Sequence, residues 1–60
     1  MSISILLVED QLLLRDTLVK LLSLESDFHI VGVASNVTDA IPKLESLKPK
    51  VVICDIELEN

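Results

Sequence analysis

The stretch Ile3 to Val8 reads Ile-Ser-Ile-Leu-Leu-Val. A run so continuously apolar and β-branched has to be covered on both faces, as a strand inside a parallel sheet is. A second such run, Val51-Val52-Ile53-Cys54, lies near the other end of the sequence. Both finish in carboxylates: Glu9-Asp10 after the first and Asp55 after the second. What lies between them must therefore supply helical cover and bring the two strands side by side.

The intervening residues meet that need. From Leu12 to about Leu24 the apolar period becomes helical, with Leu14, Leu18, Leu21 and Leu22 toward the sheet and Arg15, Asp16, Lys20 and Ser23 away from it. A helix of that length spans roughly 20 Å, close to the length of a six-residue strand. Glu25-Ser26-Asp27 reads as a turn and Phe28 to Ala34 as a second strand, with Gly32 a weakness that an edge position tolerates. Ser35-Asn36 offers helix-capping chemistry. Val37, Ala40, Ile41, Leu44 and Leu47 mark a second amphipathic helix. Pro42 would kink it unless the helix starts late, near Ile41. Pro49 stops it before the third strand.

The order is β-α-β-α-β. Right-handed crossovers reduce the choices to an α/β, flavodoxin-like, doubly wound parallel sheet. With the helices on opposite faces, the first strand is central and the strand order is 2-1-3. Glu9, Asp10 and Asp55 then share one sheet edge, in the crevice beyond the carboxyl ends where such sheets bind ligands.

Composition narrows the partners. A net charge of −5 argues against nucleic acid or an anionic membrane as a direct partner of this segment. The apolar runs are far below the roughly 20 residues of a membrane span. One cysteine, Cys54, suits a reducing cytosol, and the expected location is cytoplasmic. Half the residues are apolar but a single one, Phe28, is aromatic, so the core is aliphatic. Two helices do not fully cover a sheet. The 60 residues accordingly read as a fragment of a larger domain.

Three ionised acids within about 4 Å of one another repel by roughly 4 kcal/mol per pair at an effective dielectric near 20. Such a group calls for a proton or a cation, and oxygen ligands without His or Cys favour Mg²⁺. A carboxylate can also be a nucleophile that forms an aspartyl phosphate. Asp55, alone at its strand end, suits the nucleophile; Glu9 and Asp10 suit the metal. The competing readings are that Asp10 only caps the first helix, that Glu9 is a solvated loop acid and that Asp55 is an ordinary strand-end acid. Repetition of the strand-then-acid pattern favours the joint reading.

Ile5-Leu6-Leu7-Val8-Glu9-Asp10-Gln11 and Val51-Val52-Ile53-Cys54-Asp55-Ile56-Glu57, with Phe28 to Ala34, Asn36 and Leu47-Lys48-Pro49 between them, resemble the response-regulator receiver domain of two-component signalling. Residues 1–60 resemble its N-terminal half, closest to the subclass followed by a LuxR-type helix-turn-helix. The resemblance implies that Asp55 accepts a phosphoryl group from a sensor histidine kinase. It implies that Glu9, Asp10 and Asp55, with the backbone carbonyl of Glu57, hold Mg²⁺. It also implies a phosphorelay switch rather than a turnover enzyme, homodimerisation on phosphorylation, and DNA binding only through a C-terminal domain beyond these residues. The acid pair is Glu-Asp where Asp-Asp is commoner, and Leu58-Glu59 stand where Met-Pro is usual. Beyond Asn60 would lie the Ser/Thr and Lys that relay the switch. The alternatives are a phosphorylation-independent pseudo-receiver and a nucleotide- or flavin-binding enzyme; the first β-α turn lacks the glycines of the latter. Cys54 reads as a small hydrophobe in a buried strand, and His29 as a surface residue.

Overall fold

A computed structural model describes residues 2–55, with the side chain of Asp55 excluded. The elements are β1 (Ile3–Glu9), α1 (Leu12–Ser23), β2 (Phe28–Ala34), α2 (Val37–Leu47) and β3 (Val51–Asp55). The strands form a parallel sheet in the order β2-β1-β3. This is the doubly wound arrangement expected from the periodicity.

β1 is central, flanked by β2 and β3, and its Ile5, Leu6, Leu7 and Val8 are all buried. Leu6 and Val8 point to one side, where they cluster with Ala34 and with Ala40 of α2. Ile5 and Leu7 point to the other. The β1–β2 register runs Ile5↔Ile30 and then Leu6↔Gly32, so Val31 is an extra residue in β2. That bulge rephases the strand. Phe28, Ile30 and Val33 lie beside Ile3, Ile5 and Leu7, while Gly32 and Ala34 lie beside Leu6 and Val8. Gly32 is more than a tolerated weakness, because a Cβ there would lie 2.8 Å from Leu47 Cδ1 and 3.3 Å from Leu6 Cδ1. Its bare backbone lets α2 approach.

Three local expectations are corrected. Leu21 is 56% exposed, whereas Arg15 and Val19 join Leu14, Leu18 and Leu22 in the half-buried stripe of α1. The stripe is centred between Leu18 and Leu22, and at about 100° per residue Leu21 falls roughly a quarter turn away. Pro42 lies inside α2, which begins at Val37 and not near Ile41. Proline there removes an amide that would have bonded the Thr38 carbonyl. Thr38 and Pro42 are both exposed, so the unpaired carbonyl is not shut away from solvent. Cys54 is exposed instead of buried, as are Val51 and Val52, because among the described residues nothing lies beyond β3.

The helix ends follow local chemistry. Asn36 caps α2 by accepting from the Asp39 N–H at 2.7 Å. Lys48 ends α2 in the left-handed conformation, φ 48° and ψ 57°, with its N–H on the Leu44 carbonyl at 3.0 Å. Ser4 Oγ accepts from the Lys50 N–H at 2.9 Å and fastens the entrance of β3 to the centre of the sheet.

Candidate functional site

The carboxyl ends of β1 and β3 meet. The β1–β3 register runs from Ile5↔Val51 to Glu9↔Asp55 without a break. The Cα positions of Glu9 and Asp55 are therefore direct neighbours on adjoining strands, whose axes are about 4.8 Å apart. Asp10 follows in the loop before α1 and is exposed. Glu57, expected to offer its carbonyl, lies outside the described residues.

Glu9 departs most from an ordinary loop acid. Its side chain is 2% exposed. Oε1 accepts a hydrogen bond from the Gln11 N–H at 3.0 Å. Oε2 is buried with no partner among the described residues. An unsatisfied buried acceptor costs about 1–3 kcal/mol, and more when it is charged. A cation beside Oε2 would remove that cost, so the donor set fits a hard divalent ion. Glu9 and Asp10 offer oxygen donors, one a buried orphan and one exposed, while among the described residues no three His, Cys, Asp or Glu side chains stand together to hold a metal ion.

Capping does not account for Asp10. The cap position of α1 is Gln11, in extended backbone geometry and without a side-chain capping bond. The Gln11 carbonyl opens the helix by accepting from the Arg15 N–H at 2.8 Å. Asp10 is thus a solvent-exposed acid in the loop between β1 and α1. The bond from the Gln11 N–H to Glu9 Oε1 is a product of the fold: in the sequence Gln11 marks only the break after the first strand. His29 is exposed, as expected of a surface residue.

Two further depressions lie between α1 and β2, away from the acids. The larger, about 510 Å³, is open and bordered by Val19, Ser23, Phe28, Ile30 and Val33 among others. The smaller lies beside Arg15, Asp16, Lys20 and Val33. Neither gathers a set of groups suited to phosphoryl chemistry.

The parallel sheet of order β2-β1-β3, with helices between its strands, is a doubly wound α/β fold in which β1 and its neighbour β3 both end in acids. Residues 5–60 match the family model of the response regulator receiver domain, and the chain belongs to that family. It is 39% identical over 56 residues to a protein-glutamate methylesterase/protein-glutamine glutaminase of Methanospirillum hungatei, covering 93% of this chain and 16% of that protein. It is 38% identical over 58 residues to the sensory transduction protein LytT of Bacillus anthracis, covering 97% and 24%. It is 36% identical over 56 residues to an uncharacterised response regulatory protein of Vibrio cholerae, covering 93% and 24%. The chain thus spans a quarter or less of the length of these relatives. No helix among the described residues is long and apolar enough to cross a membrane.

Proposed function

We propose that this chain is the phosphoacceptor part of a cytoplasmic two-component response regulator, with Asp55 as the acceptor. On this reading residues 1–60 are the N-terminal half of a receiver domain. The donor is the phosphohistidine of a sensor histidine kinase. An Asp55 carboxylate oxygen attacks phosphorus while the bond from phosphorus to the imidazole nitrogen breaks, and the electron pair leaves with the imidazole. Glu9, Asp10, Asp55 and the Glu57 carbonyl would hold Mg²⁺, which when bound offsets the charge of the incoming phosphoryl oxygens. The chain's own task is to position the acids. β1 is held rigidly between two strands, and Ser4 ties the start of β3 to it.

The observation that carries this reading is the Glu9↔Asp55 register beside the unpartnered Glu9 Oε2. That orphan also argues against a pseudo-receiver, for which a buried carboxylate would be a cost without a use. For the whole protein, the reading includes a DNA-binding output domain and phosphorylation-driven dimerisation. A methylesterase output is the second reading, favoured by the similarity to the Methanospirillum protein. In either case the receiver is a switch, and turnover chemistry belongs to the output.

The test is phosphorylation of the intact protein by a small-molecule phosphodonor with Mg²⁺, read by intact mass and phosphate-affinity gel. One phosphoryl group is expected on the native protein and none on Asp55→Asn. Undiminished labelling of the variant would remove Asp55 from its role.

A further inference from the structure

Among the described residues β2 pairs only with β1, and an open strand edge invites a further strand. The phase of the ladder determines which groups lie on that edge. In a parallel pair, a residue facing its neighbour bonds with both its N–H and its C=O, and the next residue turns both away. The Ile3 N–H donates to the Asp27 carbonyl at 2.6 Å, and Ile3 stands opposite Phe28. Asp27 and His29 thus face β1, while the backbone groups of Phe28 and Ile30 face outward. Beyond the bulge Leu7 stands opposite Val33, which puts the Val33 groups on the free edge as well.

This edge complements itself. Antiparallel pairing with a second copy of the chain, about a two-fold axis at Ile30, would let the two Ile30 residues exchange both bonds. The rung on either side would join Phe28 of one copy to Val33 of the other, because the extra residue at Val31 moves Val33 into that place. Each such rung needs the Phe28 N–H and the Val33 carbonyl. Both are engaged: the Phe28 N–H donates to the Glu25 carbonyl at 3.1 Å, and the Lys43 ammonium, reaching over from α2, donates to the Val33 carbonyl. Asp39, one turn earlier in α2, holds that ammonium at 3.6 Å.

We propose that Lys43 guards the β2 edge: by occupying the Val33 carbonyl it denies a second copy of the chain the outer rungs of a β2–β2 pairing. Ile30 is then the one outward residue with both backbone groups uncommitted among the described residues, and a single rung is far short of a stable interface. Lysine suits the task because its flexible stem lets the ammonium follow the carbonyl, and charge at an edge disfavours strand addition. Methionine at this position would keep a similar length and donate nothing. Arginine would keep both charge and donors.

The experiment is sedimentation equilibrium with residue-resolved amide hydrogen exchange on the intact native protein and on Lys43→Met, Lys43→Arg and Lys43→Met/Ile30→Pro. In the native protein the Ile30 amide exchanges freely at every concentration. Lys43→Met self-associates about tenfold more tightly than the native protein, the worth of two symmetry-related hydrogen bonds, and its Ile30 amide slows as concentration rises. Lys43→Arg behaves as the native protein does. Adding Ile30→Pro removes the central N–H and returns association to the native level. Protection of the central β1 amides in every variant shows that the fold is intact. Unchanged or weaker association of Lys43→Met would overturn the proposal, as would tighter association that leaves the Ile30 amide open. Concentration-independent protection of Ile30 in the native protein would mean that another part of the chain already covers the edge, and Lys43 would have nothing to guard.

Discussion

Replacing Gly32 by alanine tests how closely α2 is drawn onto the sheet. The new Cβ would lie 2.8 Å from Leu47 Cδ1 and 3.3 Å from Leu6 Cδ1. Gly32 does not adopt a positive φ, so the backbone accepts alanine and the change in intrinsic preference favours it by about 0.5–1 kcal/mol. Against this stands overpacking, which typically costs about 1–3 kcal/mol. Leu47 is 41% exposed and can swing its methyl outward, but Leu6, at 0%, has nowhere to go. The net expectation is a loss of up to about 2.5 kcal/mol, read as a lower urea midpoint at constant slope. The partner variant Leu47→Ala removes the nearer atom. The double variant is therefore expected to be more stable than the sum of the singles by about 1 kcal/mol. Stabilisation by Gly32→Ala alone, or strict additivity with Leu47→Ala, would refute the close contact and the β2 bulge that sets it up.

Two further outcomes concern the ends of α2. Asn36→Ala removes the acceptor of the Asp39 amide and is expected to cost about 1 kcal/mol in the same urea experiment; an unchanged midpoint would mean that the helix starts elsewhere. Lys48→Gly relieves a left-handed residue worth about 1–2 kcal/mol of strain, less about 0.4–1 kcal/mol for the freer unfolded chain. A gain of up to about 1.6 kcal/mol follows from that difference. Destabilisation would place Lys48 in an ordinary helical conformation.

The element order and sheet topology were legible in the sequence because the period of apolar residues switches cleanly between strand and helix. With the two helices on opposite faces Ile3 to Val8 becomes the central strand, and the acids at its end and at Asp55 fall at one edge. The bulge at Val31 was not legible. Ile30-Val31-Gly32-Val33 is apolar throughout, so no alternation of polar and apolar side chains exists to reveal a one-residue slip. The sequence left two options for Pro42, a kink or a helix starting near Ile41, and α2 instead begins at Val37 with Pro42 inside it.

The chain's own order of residues thus determined a parallel sheet with carboxylates at the tips of two adjoining strands, since burial periodicity and crossover handedness are properties of the linear pattern. Tertiary structure decided what kind of acid Glu9 is. In the sequence it is one loop carboxylate among ten acidic residues. In the fold it is buried at the end of the central strand, one oxygen tied to the start of α1 and the other without a partner among the described residues. Solvent exposure depends on which elements close around a side chain, and that is settled only when strands and helices are assembled.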